Sequence, residues 1–479
     1  MLNSCRKRIR DKLAFLLAAA LLLPLCACSP AVPSGETETP PQETAGTAPE
    51  ETAPAAEAPP QSGGAPATLA AAVYPEMPSY SEQYGEDYEA WWDALRERRV
   101  TYSGSAEGME SYLRAVLPGF LTDTEGENRI FSPLNVYMAL SMLTELTDGE
   151  SRGQILRLLG ADSLETVRSR AERLWNANYR DDGLVTSLLA NSLWLSDRYS
   201  FLPESMEALA RHYYASSYRG TMGSPEFDRA LQDWINAQTG GLLEDQAAEL
   251  EMDPRTVMAL ASALYFKSPW ISPFSENSTA PDVFHCAGED LTVDFMRKRM
   301  TGEYYWGERF SAVYHSLESD GVMWFLLPDE GVSPEELLSD AEAMELLLSG
   351  DPYSYENRKY LIVNLSVPKF DVVSDMDLIP GLQALGITDV FDYTVSDFTP
   401  MTLDEDQIYV SEAKHAARVT IDEEGCTAAA YTVMDMRAGS AMPPEEVVDF
   451  TLDRPFLFCV TGAENLPLFV GVVNRPVTE

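Results

Sequence analysis

Glu423-Glu424-Gly425-Cys426-Thr427-Ala428-Ala429-Ala430 is the stretch on which the reading of this chain turns. It is a run of small residues near the C-terminus, where a surface loop would ordinarily be polar. The residues from Cys426 onward keep a two-residue rhythm. Cys426, Ala428, Ala430, Thr432, Met434, Met436 and Ala438 carry no charge. The alternate set, Thr427, Ala429, Tyr431, Val433, Asp435 and Arg437, carries both charges. A strand with one buried face is written this way. Yet Gly439, Ser440, Ala441, Pro443 and Pro444 follow at once and read as an exposed loop tip. The segment is composed for two states, an exposed loop and a strand inside a sheet.

The other end of the chain says where this happens. Arg6, Lys7, Arg8, Arg10 and Lys12 precede an apolar stretch from Leu13 to Leu25. That stretch has signal-peptide length and is too short to span a bilayer. The flanking charges argue against a short core helix. Leu25-Cys26-Ala27-Cys28 resembles a bacterial lipobox, which implies cleavage before Cys28 and a diacylglycerol on its sulfur. Cys26 is an unusual residue inside a lipobox, so plain secretion is the alternative. From Ser29 to about Pro75 the chain is Pro, Glu, Thr, Ala and Gly, with no Lys or Arg between residues 13 and 95. Such a stretch cannot offset its ordering entropy by burial, and it reads as a self-repelling tether. About 45 extended residues at roughly 3.1 Å each reach on the order of 140 Å. The expected organisation is a lipoprotein leader over 1–27, a disordered tether over 28–75, an N-terminal extension over 76–104 and one large domain over 105–479. Trp91-Trp92 in the extension suggests a short amphipathic helix packed on the body.

Composition excludes several function classes. The chain has 34 Lys and Arg against 76 Asp and Glu, a formal charge of −42. Nucleic-acid binding needs a basic face, so it is disfavoured. An acidic surface favours solubility, and a basic partner is a secondary reading. Beyond the leader and Cys28, only Cys286, Cys426 and Cys459 remain, an odd number without close spacing. That is neither a disulfide framework nor a zinc pattern. Cys426 suits its run by size, with a redox-sensitive thiol as the alternative. His212, His285, His315 and His415 are scattered, and His285-Cys286 would point to opposite faces of a strand. No phosphate loop, nucleophile elbow or His-Glu-x-x-His occurs, which disfavours an enzyme and implies no cofactor and no metal.

Several blocks, taken in order, resemble one family, the serpins. Asn128 to Asn135 (NRIFSPLN) resembles the family's strand into helix B, continued by Ala139-Leu140-Ser141-Met142-Leu143. Gln154-Ile155 and Leu158-Leu159-Gly160 resemble the next helix. Residues 260–270, LASALYFKSPW, are similar to the central-sheet strand that ends in a Trp, followed by Phe274, Thr279 and Phe284. Phe325-Leu326-Leu327-Pro328, Val367-Pro368-Lys369-Phe370 and Leu385 to Phe391 (LGITDVF) match further signatures. Val410 to His415 (VSEAKH), the Glu423–Ala430 run, Asp453 to Phe458 (DRPFLF) and Gly471 to Pro476 (GVVNRP) complete the series. Each block alone is weak, but together they keep family order over roughly 105–479.

The resemblance implies an α+β fold of three sheets, about nine helices and an exposed reactive-centre loop. It implies a serine-type endopeptidase inhibitor rather than an enzyme. Such a protein is a suicide substrate: a serine protease, or a cysteine protease, cuts the loop, and the cut loop inserts into the central sheet before the acyl-enzyme hydrolyses. Distortion of the dragged protease then stalls deacylation. By family position Glu423, Glu424, Gly425, Cys426, Thr427, Ala428, Ala429 and Ala430 are the hinge. Ser132, Asn135 and His415 fall in the shutter beneath the opening strands, and Trp270 falls at the breach where the hinge first enters. Cys426 and Ser262 depart from the family's Thr or Ser and its Asn. Family spacing from Glu423 places the cut at Gly439–Ser440, with Ser440–Ala441 and Ala438–Gly439 one residue away. Small residues there suit an elastase- or subtilisin-like protease. Arg437–Ala438, suited to a trypsin-like protease, is the rival bond. The reading is of a monomer, anchored through Cys28 to the outer face of a bacterial membrane. A non-inhibitory serpin acting as a binding protein is the alternative.

Overall fold

The computed structural model describes residues 66–81, 85–404, 407–426 and 444–476. The leader, Cys28, most of the tether, and Thr427 through Pro443 with the bonds Arg437–Ala438 and Gly439–Ser440 lie outside the described residues.

Two strand-rich layers enclose the core. The first sheet has the order Ala67–Ala70, Ala215–Gly220, Thr186–Ser196, Met258–Pro269, Gly425–Cys426, Lys414–Ile421 and Phe370–Asp377, with Arg180–Asp181 paired to the start of Thr186–Ser196. Thr186–Ser196 is buried along its whole length, because layers cover both of its faces. In the second system, Tyr305 and Trp306 pair with Ala312 and Ser311. That corner joins strands Ala280–His285, Asp290–Trp306, Arg358–Pro368 and Val447–Thr451 to strands Phe310–Ser316, Val322–Pro328, Phe456–Thr461, Pro467–Val473 and Arg129–Phe131. Counted on either side of that corner, three sheets result, as expected. Eleven α-helices are found among the described residues, several of a turn or two.

The helix Pro133–Leu146 lies between the layers and is buried almost all round. Its sequence, PLNVYMALSMLTEL, has no charge except Glu145, which is paired with Arg168. Ser132 caps it, its hydroxyl accepting from Asn135 N–H, and Pro133 occupies the first helical turn, where no N–H is needed.

The N-terminal extension is ordered further upstream than composition indicates. The sequence reading ends the tether at residue 75, but Ala67–Ala70 forms a strand on the Ala215–Gly220 edge. That strand, Ala-Thr-Leu-Ala, is mostly exposed and shows no buried-face alternation, since its hold comes from backbone bonds. Tyr74 then packs against Trp175, Tyr179 and Tyr214 at ring distances of 5.1–6.3 Å. The helix Glu86–Thr101 buries Trp91 and Leu95 against Leu184 and Val185. Trp91 Nε1 donates to Asp182 Oδ2 at 2.8 Å, and the same carboxylate accepts from Arg180 and from the Leu184 and Val185 amides. Trp92 stays half-exposed under the Arg99 guanidinium.

Candidate functional site

The Met258–Pro269 and Lys414–Ile421 strands run parallel to one another, yet no ladder joins them among the described residues. Each pairs at its upper end with Gly425–Cys426, which lies between them and antiparallel to both. The registers are Gly425 with Pro269, Cys426 with Ser268, and Ile421 with Cys426. A slot one strand wide has therefore received two residues at its top. Below them a cavity of about 270 Å³ is bordered by residues 258–263 on one side and 410–414 on the other. The Pro133–Leu146 helix contributes Val136, Ala139, Leu140 and Leu143 to its floor.

The top of the slot is closely fixed. Asp422 Oδ1 accepts from the amides of Glu424 (2.9 Å) and Gly425 (3.1 Å), which turns the chain back on itself. Gly425 touches the neighbouring strand: a Cβ there would sit 2.5 Å from Ser268 O and 2.9 Å from Pro269 Cα. Cys426 is buried, and burial pushes its thiol up to about 12, so it forms no thiolate at neutral pH. The redox reading of Cys426 finds no reactive thiol in this state.

Trp270 is fully buried beside this turn. Its backbone N–H donates to Glu424 O (2.8 Å) and its indole N–H to Asp422 O (2.9 Å). The Phe274 amide donates to Glu423 O (2.8 Å). His315 packs against both aromatic rings. The Glu423 carboxylate is held by Lys369 Nζ (2.7 Å) and by the Thr279 hydroxyl (2.6 Å). Burial alone would raise its pKa, but those two partners outweigh burial and leave it below its ordinary value. Lys369 and Thr279 lie in blocks that carried the resemblance, yet sequence gave neither a partner. Their convergence on Glu423 joins positions 54 and 144 residues apart.

Midway down the slot lies a second polar cluster. The Ser132 amide donates to His415 Nε2 at 3.0 Å, so the neutral ring carries its proton on Nδ1. The ring is wholly buried against Phe131, and burial pushes its pKa down to about 4. Asn135 Nδ2 donates to Ser262 O at 3.0 Å. Ser262 Oγ lies between the Oδ1 atoms of Asn135 and Asn191, the latter at 2.7 Å, and donates to one at a time. Asn191 Nδ2 in turn donates to Tyr213 O. Ser132, Asn135 and His415 are thus brought together. Asn191 is the residue sequence reasoning missed. It stands opposite Ser262 in the ladder, and supplies from the next strand an amide beside the position where this chain has Ser.

Among the described residues there is no cluster able to hold a metal and no helix long and apolar enough to cross a membrane.

A two-layer α+β fold whose central sheet leaves a strand position open below Gly425–Cys426 defines the class of fold to which the chain belongs. The chain belongs to the serpin (serine protease inhibitor) family, whose pattern it matches over residues 116–476. It is 29% identical to human leukocyte elastase inhibitor over 363 residues, 73% of this chain and 93% of that protein. Its fold is similar to the thermophilic serpin tengpin in the native state, with TM-score 0.67 and 24% identity over 77% of this chain and 93% of that one. It is also similar to human thyroxine-binding globulin, with TM-score 0.67 and 20% identity over 78% of this chain and all of that one.

Proposed function

We propose that this protein inhibits a protease as a suicide substrate, by drawing its cleaved loop into the slot between Met258–Pro269 and Lys414–Ile421. The observation that carries the reading is that Gly425–Cys426 already occupies the top of that slot in the orientation an inserted strand requires. Continuing the pairing of Cys426 with Ser268 one residue at a time brings Met436 opposite Met258, the end of the strand. The residues that follow Cys426 on its own face are Ala428 and Ala430, small enough to pass into packed surroundings. Gly439–Ser440 is the proposed scissile bond, and a protease with a shallow pocket for small residues is the proposed target. Arg437–Ala438 is the rival. Cys28 is the proposed lipid anchor, holding the inhibitor outside a bacterial cell.

The test is incubation of the full chain with elastase-, subtilisin- and trypsin-like serine proteases. A complex that survives denaturant, with a released peptide beginning at Ser440, supports the reading. A peptide beginning at Ala438 moves the target to trypsin-like enzymes. Clean nicking by every protease, with no complex, favours the second reading, a non-inhibitory binding protein. The structural likeness to thyroxine-binding globulin is what keeps that reading in view.

A further inference from the structure

A second cavity, of about 280 Å³, lies away from the slot, between the Glu86–Thr101 helix and the body. Its walls are mainly apolar: Leu95 from the helix, Val185 from the segment before the Thr186–Ser196 strand, Phe266 from the Met258–Pro269 strand, and Leu468. Two polar groups of its lining bear on what it could hold. The Ser187 hydroxyl is buried, with no hydrogen-bond partner. The Arg98 guanidinium is half-buried and, among the described residues, has no carboxylate partner. Its Nη2 donates to the carbonyls of Asn176 and Tyr179 (2.7 Å to the latter), and its plane lies near the rings of Tyr102 and Tyr179. Burial disfavours the charge of this guanidinium, chiefly through lost solvation.

The other charged groups on the cavity wall are already matched. Arg180 pairs with Asp182, and Arg99 with Asp320. The Glu464 carboxylate accepts from the amides of Gly104 and Ala106 and from the Ser105 hydroxyl. One cation without a counter-ion and one buried hydroxyl without a partner thus line a mostly apolar space.

We propose that this cavity binds a small organic carboxylate. Its carboxylate would accept from Arg98 and Ser187, and its hydrocarbon would lie against Leu95, Val185, Phe266 and Leu468. At roughly 30 Å³ per liquid-sized group, about nine non-hydrogen atoms fit, the size of a medium-chain fatty acid or an aryl-acetic acid. The occupant would touch the N-terminal helix, the buried central strand and the strand that forms one wall of the slot. It should therefore stabilise the uncleaved protein, as any ligand of the folded state does.

Octanoate is the probe, with 1-octanol as the uncharged control of equal length. Titration calorimetry and thermal melting of the full chain should show one octanoate per chain and a raised melting temperature. The alcohol should bind at least about tenfold more weakly, as should octanoate to Arg98→Met, for loss of a charge-assisted hydrogen bond. Because Arg98 also holds two carbonyls, its variant could loosen the helix. Ser187→Ala removes one oxygen and little volume, and should weaken octanoate severalfold at an unchanged melting temperature of the empty protein. Ser187→Leu, which fills the space, should abolish binding. No saturable octanoate binding would overturn the proposal, and so would equal affinity for octanoate and octanol. Octanoate binding untouched by both Ser187→Ala and Ser187→Leu would overturn it as well.

Discussion

At the scale of single residues, the slot admits only what fits it. Gly425 lies so close to Ser268 O and Pro269 Cα that no side chain can be added without moving a backbone. Gly425→Val is expected to unseat the turn and to shift the products with a target protease from trapped complex toward clean cleavage, read as an increased stoichiometry of inhibition. Ala428→Arg should do the same for another reason. As an inserted strand, residue 428 would follow buried Cys426 on the same face by its two-residue spacing, and an arginine there would enter a packed layer unpaired. A variant that still trapped protease at normal stoichiometry would sink the insertion reading. The run of small residues was legible in the sequence because period two needs no structure to be seen. The need for Gly at 425 was not, because the obstacle is the backbone of a strand 156 residues upstream. Lys369 and Thr279 were hidden for a similar reason: nothing local marks a lysine as the partner of a distant carboxylate. Lys369→Met leaves Glu423 nearly buried without its cation. It is expected to destabilise the uncleaved protein by about 1–3 kcal/mol, measured by urea unfolding.

At the scale of elements, the polar cluster midway along the slot couples stability to pH. His415 accepts from the Ser132 amide only when Nε2 is unprotonated, and burial holds its pKa at about 4 against an ordinary 6.5. A histidine with a depressed folded-state pKa binds its proton more readily when unfolded. Its contribution is therefore complete above pH 6.5 and is lost as pH falls toward 4, an effect on the order of 3 kcal/mol in total. Urea midpoints between pH 7 and pH 4.5 should fall in the native protein and fall less in His415→Gln. Equal slopes would remove the histidine from the account. Sequence placed Ser132, Asn135 and His415 together through the resemblance alone, since they sit in two blocks 280 residues apart. It did not show Asn191, one of five polar residues in the eleven-residue strand TSLLANSLWLS, where nothing local singles out one Asn. The N-terminal helix divides the same way. Trp91-Trp92 suggested an amphipathic helix against the body. The fourfold satisfaction of Asp182, which receives the Trp91 indole, required the fold. Trp91→Ala should open that small satellite core and make the 86–101 segment readily cut by a broad-specificity protease, while the main unfolding transition moves little.

At the scale of the whole molecule, the protein holds a sheet with a place unfilled. Extending the present pairing from Cys426 to Met436 would add about ten ladder hydrogen bonds, worth on the order of 10 kcal/mol before any side-chain burial. On the proposed account the uncleaved loop cannot realise that gain, because the chain on either side of it is held at Cys426 and at the Val447–Thr451 strand. Cutting between them releases the constraint. The measurement that tests this most directly is the melting temperature of the protein before and after a single cut in the loop, with the site of the cut fixed by mass spectrometry. Filling the slot predicts a rise of about 20 °C or more. An unchanged or lowered melting temperature, with the loop fully cut, would mean that the slot does not receive it, and the suicide-substrate account would be wrong.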